Sequence, residues 1–279
     1  GSKPGQNHFK LGISRVQAYY EYSQARLVEG FSTEPYFYEL PGGNVQFRTG
    51  TGGVPTKGSH YPRSELRELD QQGNLIAWDG RKGTHWMDLI VRATHLPAKR
   101  PWCCLLQIHG PDSDLTRLQI EGKDLDSLKL VCRNTPPGSD EEITQVVKTE
   151  YHLNEWIYPR YEVIDGKGTL WLNGLKVREF PANLSGLYFK APCYCQANLS
   201  NGGVDYASVE VLAHSLRHGH PGWASNEARV TSIPVGAGGG PGSTPVPPSV
   251  PPKAQRVIMV IRHAEKPTDA DSHVLSETG

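Results

Sequence analysis

The sequence predicts an all-β protein, and three observations carry that prediction. Across most of residues 30 to 215 apolar residues recur at period two, so that successive side chains alternate between two faces as in a half-buried strand. Turn signals punctuate these runs: Gly 30 and Pro 22 are high counts for 279 residues, and Asn-Gly and Asp-Gly pairs separate alternating segments. Long amphipathic helices are scarce, and the best candidate, Arg15 to Val28, is a weak one. Many short strands with frequent turns read as a sandwich or a barrel.

The elements follow in chain order. In Pro62 to Glu68, strand alternation puts Arg63, Glu65 and Arg67 on one face and Ser64 and Leu66 on the other. His85 to Ala93 gathers Met87, Leu89, Val91 and Ala93 on one side. In Leu105 to Gly110, Gln107 and His109 share a face, with Leu106 and Ile108 pointing away. Leu128, Leu130 and Cys132 alternate with Lys129, Val131 and Arg133. Asp165-Gly166 marks a turn, and Asn173-Gly174 between Thr169–Leu172 and Leu175–Val177 predicts a hairpin on a type I′ turn. In Tyr188 to Gln196, the side chains of Tyr188, Lys190, Tyr194 and Gln196 oppose Phe189, Ala191, Cys193 and Cys195. Pro192 cannot donate to a ladder, so a bulge or an edge is expected just before Tyr194. Val204 to Ala213 is one more alternating strand.

Composition bounds the rest. Lys+Arg and Asp+Glu are equal at 29 each, so the formal net charge is zero, which argues against a nucleic-acid partner, since that would show as a basic excess. No run of about eighteen apolar residues occurs, so no transmembrane helix and no membrane partner is expected. The opening Gly1-Ser2 reads as a tag-cleavage remnant with no signal peptide after it; the expectation is a secreted, extracellular parent whose signal segment is missing here. Five cysteines lack CxxC spacing, against a zinc or redox motif; most are expected to be small buried hydrophobes, with one or two disulfides left open. No acidic cluster suggests a metal site, so neither metal nor cofactor is expected. From Pro234 to Pro252 twelve of nineteen residues are Gly or Pro, the composition of a linker. The division is therefore a β domain over 1–233, a linker over 234–252 and a segment over 253–279 too short to fold alone.

Three strands share a pattern, apolar behind and polar in front. Antiparallel sheets commonly turn such a front to water. The residue types argue otherwise: Arg-x-Glu-x-Arg, Gln-x-His and Lys-x₃-Tyr-x-Gln are directional donors with one base that titrates near neutrality. A Glu between two arginines also reads as a brace for their guanidinium geometry. RSELRE, QIHG and YFKAPCYCQ, in that order, resemble the three signature regions of polysaccharide lyase family 7, the alginate lyases. The resemblance covers roughly residues 30 to 215. It implies a two-sheet antiparallel β-jelly-roll sandwich whose concave face forms a groove for an acidic polysaccharide. It further implies catalytic roles for Arg63, Gln107, His109 and Tyr194, a supporting role for Glu65, and groove roles for Arg67, Lys190 and Gln196. The usual Gly after YFKA is Pro192 here, which bears on the placement of Tyr194.

The implied chemistry is β-elimination, in which a uronate loses its C5 proton and expels the C4 oxygen, leaving a 4,5-unsaturated product. The adjacent carboxylate makes that proton feebly acidic, so preorganised donors must neutralise it; Arg63, Gln107 and His109 suit this role. A phenol titrates near 10 in water, so a tyrosine base needs cationic neighbours, whereas imidazole is a base near neutrality. The family resemblance assigns tyrosine alone to mannuronate and histidine with tyrosine to guluronate, and Ile108 resembles members that accept guluronate. The expected substrates are alginate, polymannuronate, polyguluronate or glucuronan, and the enzyme is expected to act as a monomer. Two other readings compete: a non-catalytic jelly-roll module that binds acidic glycans, and a glycoside hydrolase, which would need paired carboxylates flanking the bond.

Arg256 to Pro267 resembles the first strand and Arg-His motif of the histidine phosphatases, with His263 as the implied nucleophile. The rest of such a domain is missing, so the segment is expected to lack that activity. Asn183 and Asn198 begin Asn-Leu-Ser sequons, patterns short enough to arise by chance. Trp78, Trp86, Trp102, Trp156 and Trp171 are expected mostly in core packing.

Overall fold

Strand alternation and Gly-containing turns dictate most of the architecture. A computed structural model of the chain describes residues 8–70, 72–219 and 273–274. Gly1-Ser2, the linker over 234–252 and the phosphatase-like motif around His263 lie outside the described residues. The strands are β1 (His8–Ser14), β2 (Tyr19–Tyr22), β3 (Phe37–Glu39), β4 (Val45–Gly50), β5 (Arg63–Leu69), β6 (Trp78–Asp79), β7 (Thr84–His95), β8 (Cys103–His109), β9 (Asp114–Glu121), β10 (Lys129–Asn134), β11 (Ile143–Lys148), β12 (Pro159–Ile164), β13 (Lys167–Leu172), β14 (Leu175–Pro181), β15 (Ser185–Cys195), β16 (Tyr206–Gly219) and β17 (His273–Val274). Two short helices, α1 (Gln24–Val28) and α2 (Leu199–Gly202), complete the described elements.

The strands form two antiparallel sheets. The larger runs β11-β10-β9-β8-β15-β5-β1-β2-β17, with β6 pairing on β15, and the smaller runs β14-β13-β12-β7-β16-β4-β3. Strands distant in sequence thus become neighbours, as in a jelly-roll sandwich. Leu11, Ile13, Leu66, Leu106, Ile108 and Phe189 of the larger sheet and Met87, Leu89, Val91, Tyr161 and Val209 of the smaller are buried in one core. Such interleaved apolar burial is the main favourable term holding the sheets together.

Both anticipated turns are present. Asp165 and Gly166 have φ 44° and 87°, and Asn173 and Gly174 have φ 52° and 83°, the positive pairs a type I′ hairpin needs. At Pro192 the ladder between β15 and β8 shifts register between Lys190 and Tyr194, while β15 pairs without a break on β5. This is a bulge inside the sheet, not an edge.

Three expectations are corrected. Arg15 to Val28 is not a helix: Tyr19–Tyr22 forms β2 against β1, and only Gln24–Val28 is helical. Aromatic residues that can pair on an existing strand prevail over a weak helical period. The last strand begins at Tyr206 and runs on to Gly219; Val204 stands outside it. Of the five tryptophans named above only Trp78 is buried in the core. Trp86, Trp102 and Trp156 instead lie under the guanidiniums of Arg160, Arg100 and Arg92, where a large ring stays half-buried. The cysteine expectation holds: all five are free, buried thiols.

Candidate active site

The topology brings the three motifs onto three adjacent strands. β15 lies between β5 and β8, with Tyr194 opposite Arg63, Lys190 opposite both Arg67 and Gln107, and Tyr188 opposite His109. Because the period is two, all of these side chains leave the sheet on the face turned away from the core.

That face is not a solvated one. Arg63, Glu65 and Gln107 are 6%, 3% and 2% exposed, so their charges and amides satisfy one another. Glu65 is the hub: it accepts from Arg63 Nη1 at 3.0 Å, from Lys190 Nζ at 2.7 Å and from Gln107 Nε2. Burial acts to raise the Glu65 pKa, but the Lys190 and Arg63 charges outweigh it and hold the carboxyl below its ordinary range. Burial likewise pushes the Lys190 ammonium down, assisted by Arg63 and opposed by Glu65. One carboxylate thus faces two cations, and the cluster keeps a net positive charge fit for an anion.

Tyr194 and His109 flank this cluster. The Arg63 guanidinium carbon lies 3.9 Å from the centroid of the Tyr194 ring. The Tyr194 hydroxyl is 2.9 Å from Ser59 Oγ, which in turn accepts from Arg63 Nη2 at 2.9 Å. Arginine can only donate, so Ser59 keeps its own proton for the Tyr194 oxygen or for its longer, 3.3 Å contact to the Tyr61 carbonyl. His109 Nδ1 lies 2.6 Å from the Gly110 carbonyl oxygen. A carbonyl only accepts, so in the neutral ring Nδ1 carries the hydrogen and Nε2 holds the lone pair. Burial pushes the His109 pKa below the ordinary imidazole value, with Lys190 adding to the effect and the Gly110 bond opposing it. Tyr188 stacks on His109 at 5.0 Å, and the Arg67 guanidinium sits 3.9 Å from the Tyr188 ring centre.

Seven of the eight residues expected at the site are therefore joined by contacts. The exception is Gln196, whose backbone bonds to Trp102 and Arg100 while its buried side-chain nitrogen has no partner. Sequence reasoning missed three contributors. Ser59 sits in the loop before β5, where no alternation marks it. Tyr19 lies over Gly12, the ladder partner of Glu65; a β-carbon on Gly12 would fall 1.9 Å from the Tyr19 hydroxyl oxygen. Burial first, and Glu21 second, raise the Tyr19 pKa well above that of a free phenol.

Glu68, the third, is on the core side of β5. It is fully buried and accepts from the Phe189 N–H at 2.8 Å, from Trp78 Nε1 at 3.1 Å and from His218 Nε2. It fixes β15 from behind, at the residue between Tyr188 and Lys190. Its place opposite Arg67 in the strand alternation was visible in the sequence, but not its partners.

Among the described residues no group of His, Cys, Asp and Glu side chains is arranged to hold a metal, and no helix is long and apolar enough to cross a membrane.

Comparison with known proteins extends these observations. No curated protein matches the sequence significantly. Among solved structures, the alginate lyase AlgAT5 from polysaccharide lyase family 7 is 30% identical, with 76% of this chain and 94% of that chain covered and a TM-score of 0.67. An alginate lyase from Corynebacterium sp. is 32% identical over 76% of this chain and 94% of its own, also at 0.67. A family 7 alginate lyase, A1-II′, solved in complex with substrate (GGMG), is 27% identical over 76% of this chain and 93% of that chain, at 0.66. The family model for alginate lyases matches residues 6–220, a span that holds every strand from β1 to β16 and the whole cluster, so the chain belongs to the alginate lyase family and is a polysaccharide lyase acting on alginate.

Proposed function

We propose that Tyr194 and His109 carry the proton transfers of β-elimination on alginate, and that Arg63 and Gln107 hold the uronate carboxylate. In the reaction the C5 proton passes to a base and its electron pair becomes the C4–C5 double bond. The C4–O bond breaks, and the departing oxygen takes a proton. The observation that carries this assignment is the pair of proton-handling groups at the rim of one cationic cluster: an imidazole with Nε2 free, and a phenol tied through Ser59 to Arg63.

Each part follows from hydrogen-bond capacity. Gln107 gives one N–H to Glu65 and keeps a second for substrate. Arg63 gives one N–H to Glu65 and one to Ser59, which leaves other N–H groups for the carboxylate as it gains charge. A preorganised donor at such a position contributes about 3 kcal/mol to the transition state. Glu65 is a positioning residue that keeps Arg63 and Lys190 from turning away. On mannuronate, Tyr194 takes the C5 proton and returns one to the leaving oxygen on the same side of the ring. On guluronate, His109 Nε2 takes the proton from the opposite side and Tyr194 protonates the leaving oxygen. With both groups at the rim, the proposal includes turnover of guluronate as well as mannuronate blocks. Arg67 and Lys190 line the groove, with Gln196 beyond them. The proposal also includes action as a monomer outside the cell, where the polymer is met.

The test is ultraviolet absorbance growth on polymannuronate, polyguluronate and glucuronan in parallel, since elimination creates a conjugated double bond that hydrolysis cannot make. The Tyr194→Phe protein is expected to lose about a thousandfold in kcat, as befits removal of an acid–base group. Unchanged absorbance growth in that variant would overturn the assignment.

A further inference from the structure

A second site is built at the end of the sandwich, away from the cluster on the larger sheet. A cavity of about 380 Å³ opens where the end of β1, the segment before β3, and the neighbouring ends of β4 and β16 meet. Ser14, Val16, Tyr36, Arg48, Val204 and Tyr206 are among its walls. Of the residues in the catalytic cluster none lines it; Ser14 touches that cluster only by accepting the backbone N–H of Arg63.

The feature that points to a ligand is Arg48. Its guanidinium carbon lies 3.7 Å from the centre of the Tyr206 ring, and the other partner of that ring, His95, stacks at 3.9 Å and 17°. His95 Nε2 is 2.8 Å from Asp205 Oδ1, and Asp205 also accepts the backbone N–H groups of Ala98 and Tyr206. The column is therefore braced layer by layer. Arg92 and Arg160, also on the outer face of the smaller sheet, each meet a carboxylate, Glu210 and Asp88 respectively. Arg48 meets none: among the described residues its side chain has the ring contact and no hydrogen bond or ion pair. A guanidinium whose carbon sits 3.7 Å over a ring centre and meets no other acceptor keeps its N–H groups for a carboxylate. The lip is apolar, with Val204 96% exposed and Val16 67% exposed. A rigid cation beside an exposed apolar lip matches a sugar acid, which presents a carboxylate on one edge and C–H groups on its face.

We propose that this pocket is an accessory uronate-binding site, in which Arg48 receives the carboxylate of one sugar of the polymer being degraded and Val16 and Val204 meet its C–H face. The inference rests on the alginate reading of the main site. A second attachment point raises the local concentration of polymer at the catalytic cluster, and it does nothing for fragments too short to reach both.

Two measurements test it on the full chain. Calorimetric titration of the Tyr194→Phe protein with saturated oligomannuronate is expected to show two sites, and one site after adding Arg48→Gln or Val204→Glu. The second substitution changes a side chain that packs on nothing and places a repelling carboxylate on the lip. In otherwise wild-type protein, either change is expected to raise KM for polymeric alginate about tenfold, the worth of a charge-assisted pair, and to leave kcat/KM for a trisaccharide unchanged. One-site binding and an unchanged polymer KM would overturn the accessory site while leaving the lyase intact. Acetate displacing the oligomer from the Arg48-dependent site at equal concentration would reduce it to a general anion pocket and overturn the uronate assignment. Failure of any oligouronate to bind the protein would overturn the main reading together with this one.

Discussion

Glu65 and Glu68 lie on the same strand, both are buried, and they face opposite sides of the larger sheet. Glu65 is surrounded by side chains from three strands, and two of its three partners are cations. Glu68 is held by a backbone N–H, an indole N–H and one histidine. Identical chemistry has thus been given two tasks by strand parity alone. In front, a carboxylate gathers positive charge where an anionic polymer must be received. Behind, a carboxylate anchors the strand that carries Tyr188 and Lys190.

The comparison breaks first at Glu65. Glu65→Gln leaves Arg63 and Lys190 close together without their shared counter-charge, so kcat is expected to fall more than about a hundredfold. Breaking a buried pair in this way also costs about 3 kcal/mol of stability, readable as a shifted urea midpoint. Glu68→Gln comes next: it keeps an acceptor for Phe189 and Trp78 but loses the charge facing His218. A stability loss of about 2 kcal/mol is expected, with kcat within about threefold of wild type because no group in front has changed. Equal losses of kcat in the two variants would erase the distinction between the faces.

Smaller changes sharpen the picture of the front. Ser59→Ala removes the link between Arg63 and the Tyr194 hydroxyl; kcat is expected to drop about tenfold, the worth of one hydrogen bond to a charged network, at constant KM. Ser59→Thr, which keeps the hydroxyl, is expected to recover most of it. The mildest effect is in pH. His109 must be neutral to accept a proton, and burial lowers its pKa, so the neutral form persists below the ordinary imidazole value of 6.5. Rates on polyguluronate are expected to stay level as pH falls through that value and to decline only beneath it. A midpoint above it would show that substrate or solvent has reversed the effect of burial.

Much of this was legible in the sequence, for definite reasons. Alternation has an unambiguous geometric meaning, so the shared face of Arg63, Glu65 and Arg67, and that of Gln107 and His109, could be read directly. Asn173-Gly174 and Asp165-Gly166 specified their turns because few other residues accept two positive φ values in succession. Pairing partners were not legible from alternation, because nothing local states that β15 inserts between β5 and β8. Tyr19 falls in a stretch that reads as helical because its strand exists only through pairing with β1 and β17, which no local pattern states. Ser59 belongs to a loop, where position depends on the elements at either end. Glu68 breaks the rule that backs of strands are apolar, and its partners Phe189 and His218 come from remote parts of the chain.

The insertion of β15 has a consequence for how the molecule comes into being. Arg63 and Tyr194 are direct ladder partners, yet everything from β6 to β14 is made between them. Closing so long a loop costs entropy before the ladder repays it, and chains dominated by such distant pairings fold slowly. The hairpin at Asn173-Gly174, with partners adjacent in sequence, can form early; the meeting of β5, β8 and β15 belongs near the end. Until then the Arg63–Glu65 pair and Lys190 are separate, solvated charges, and a fully made but not yet folded chain holds every catalytic side chain with no cluster in which to use it.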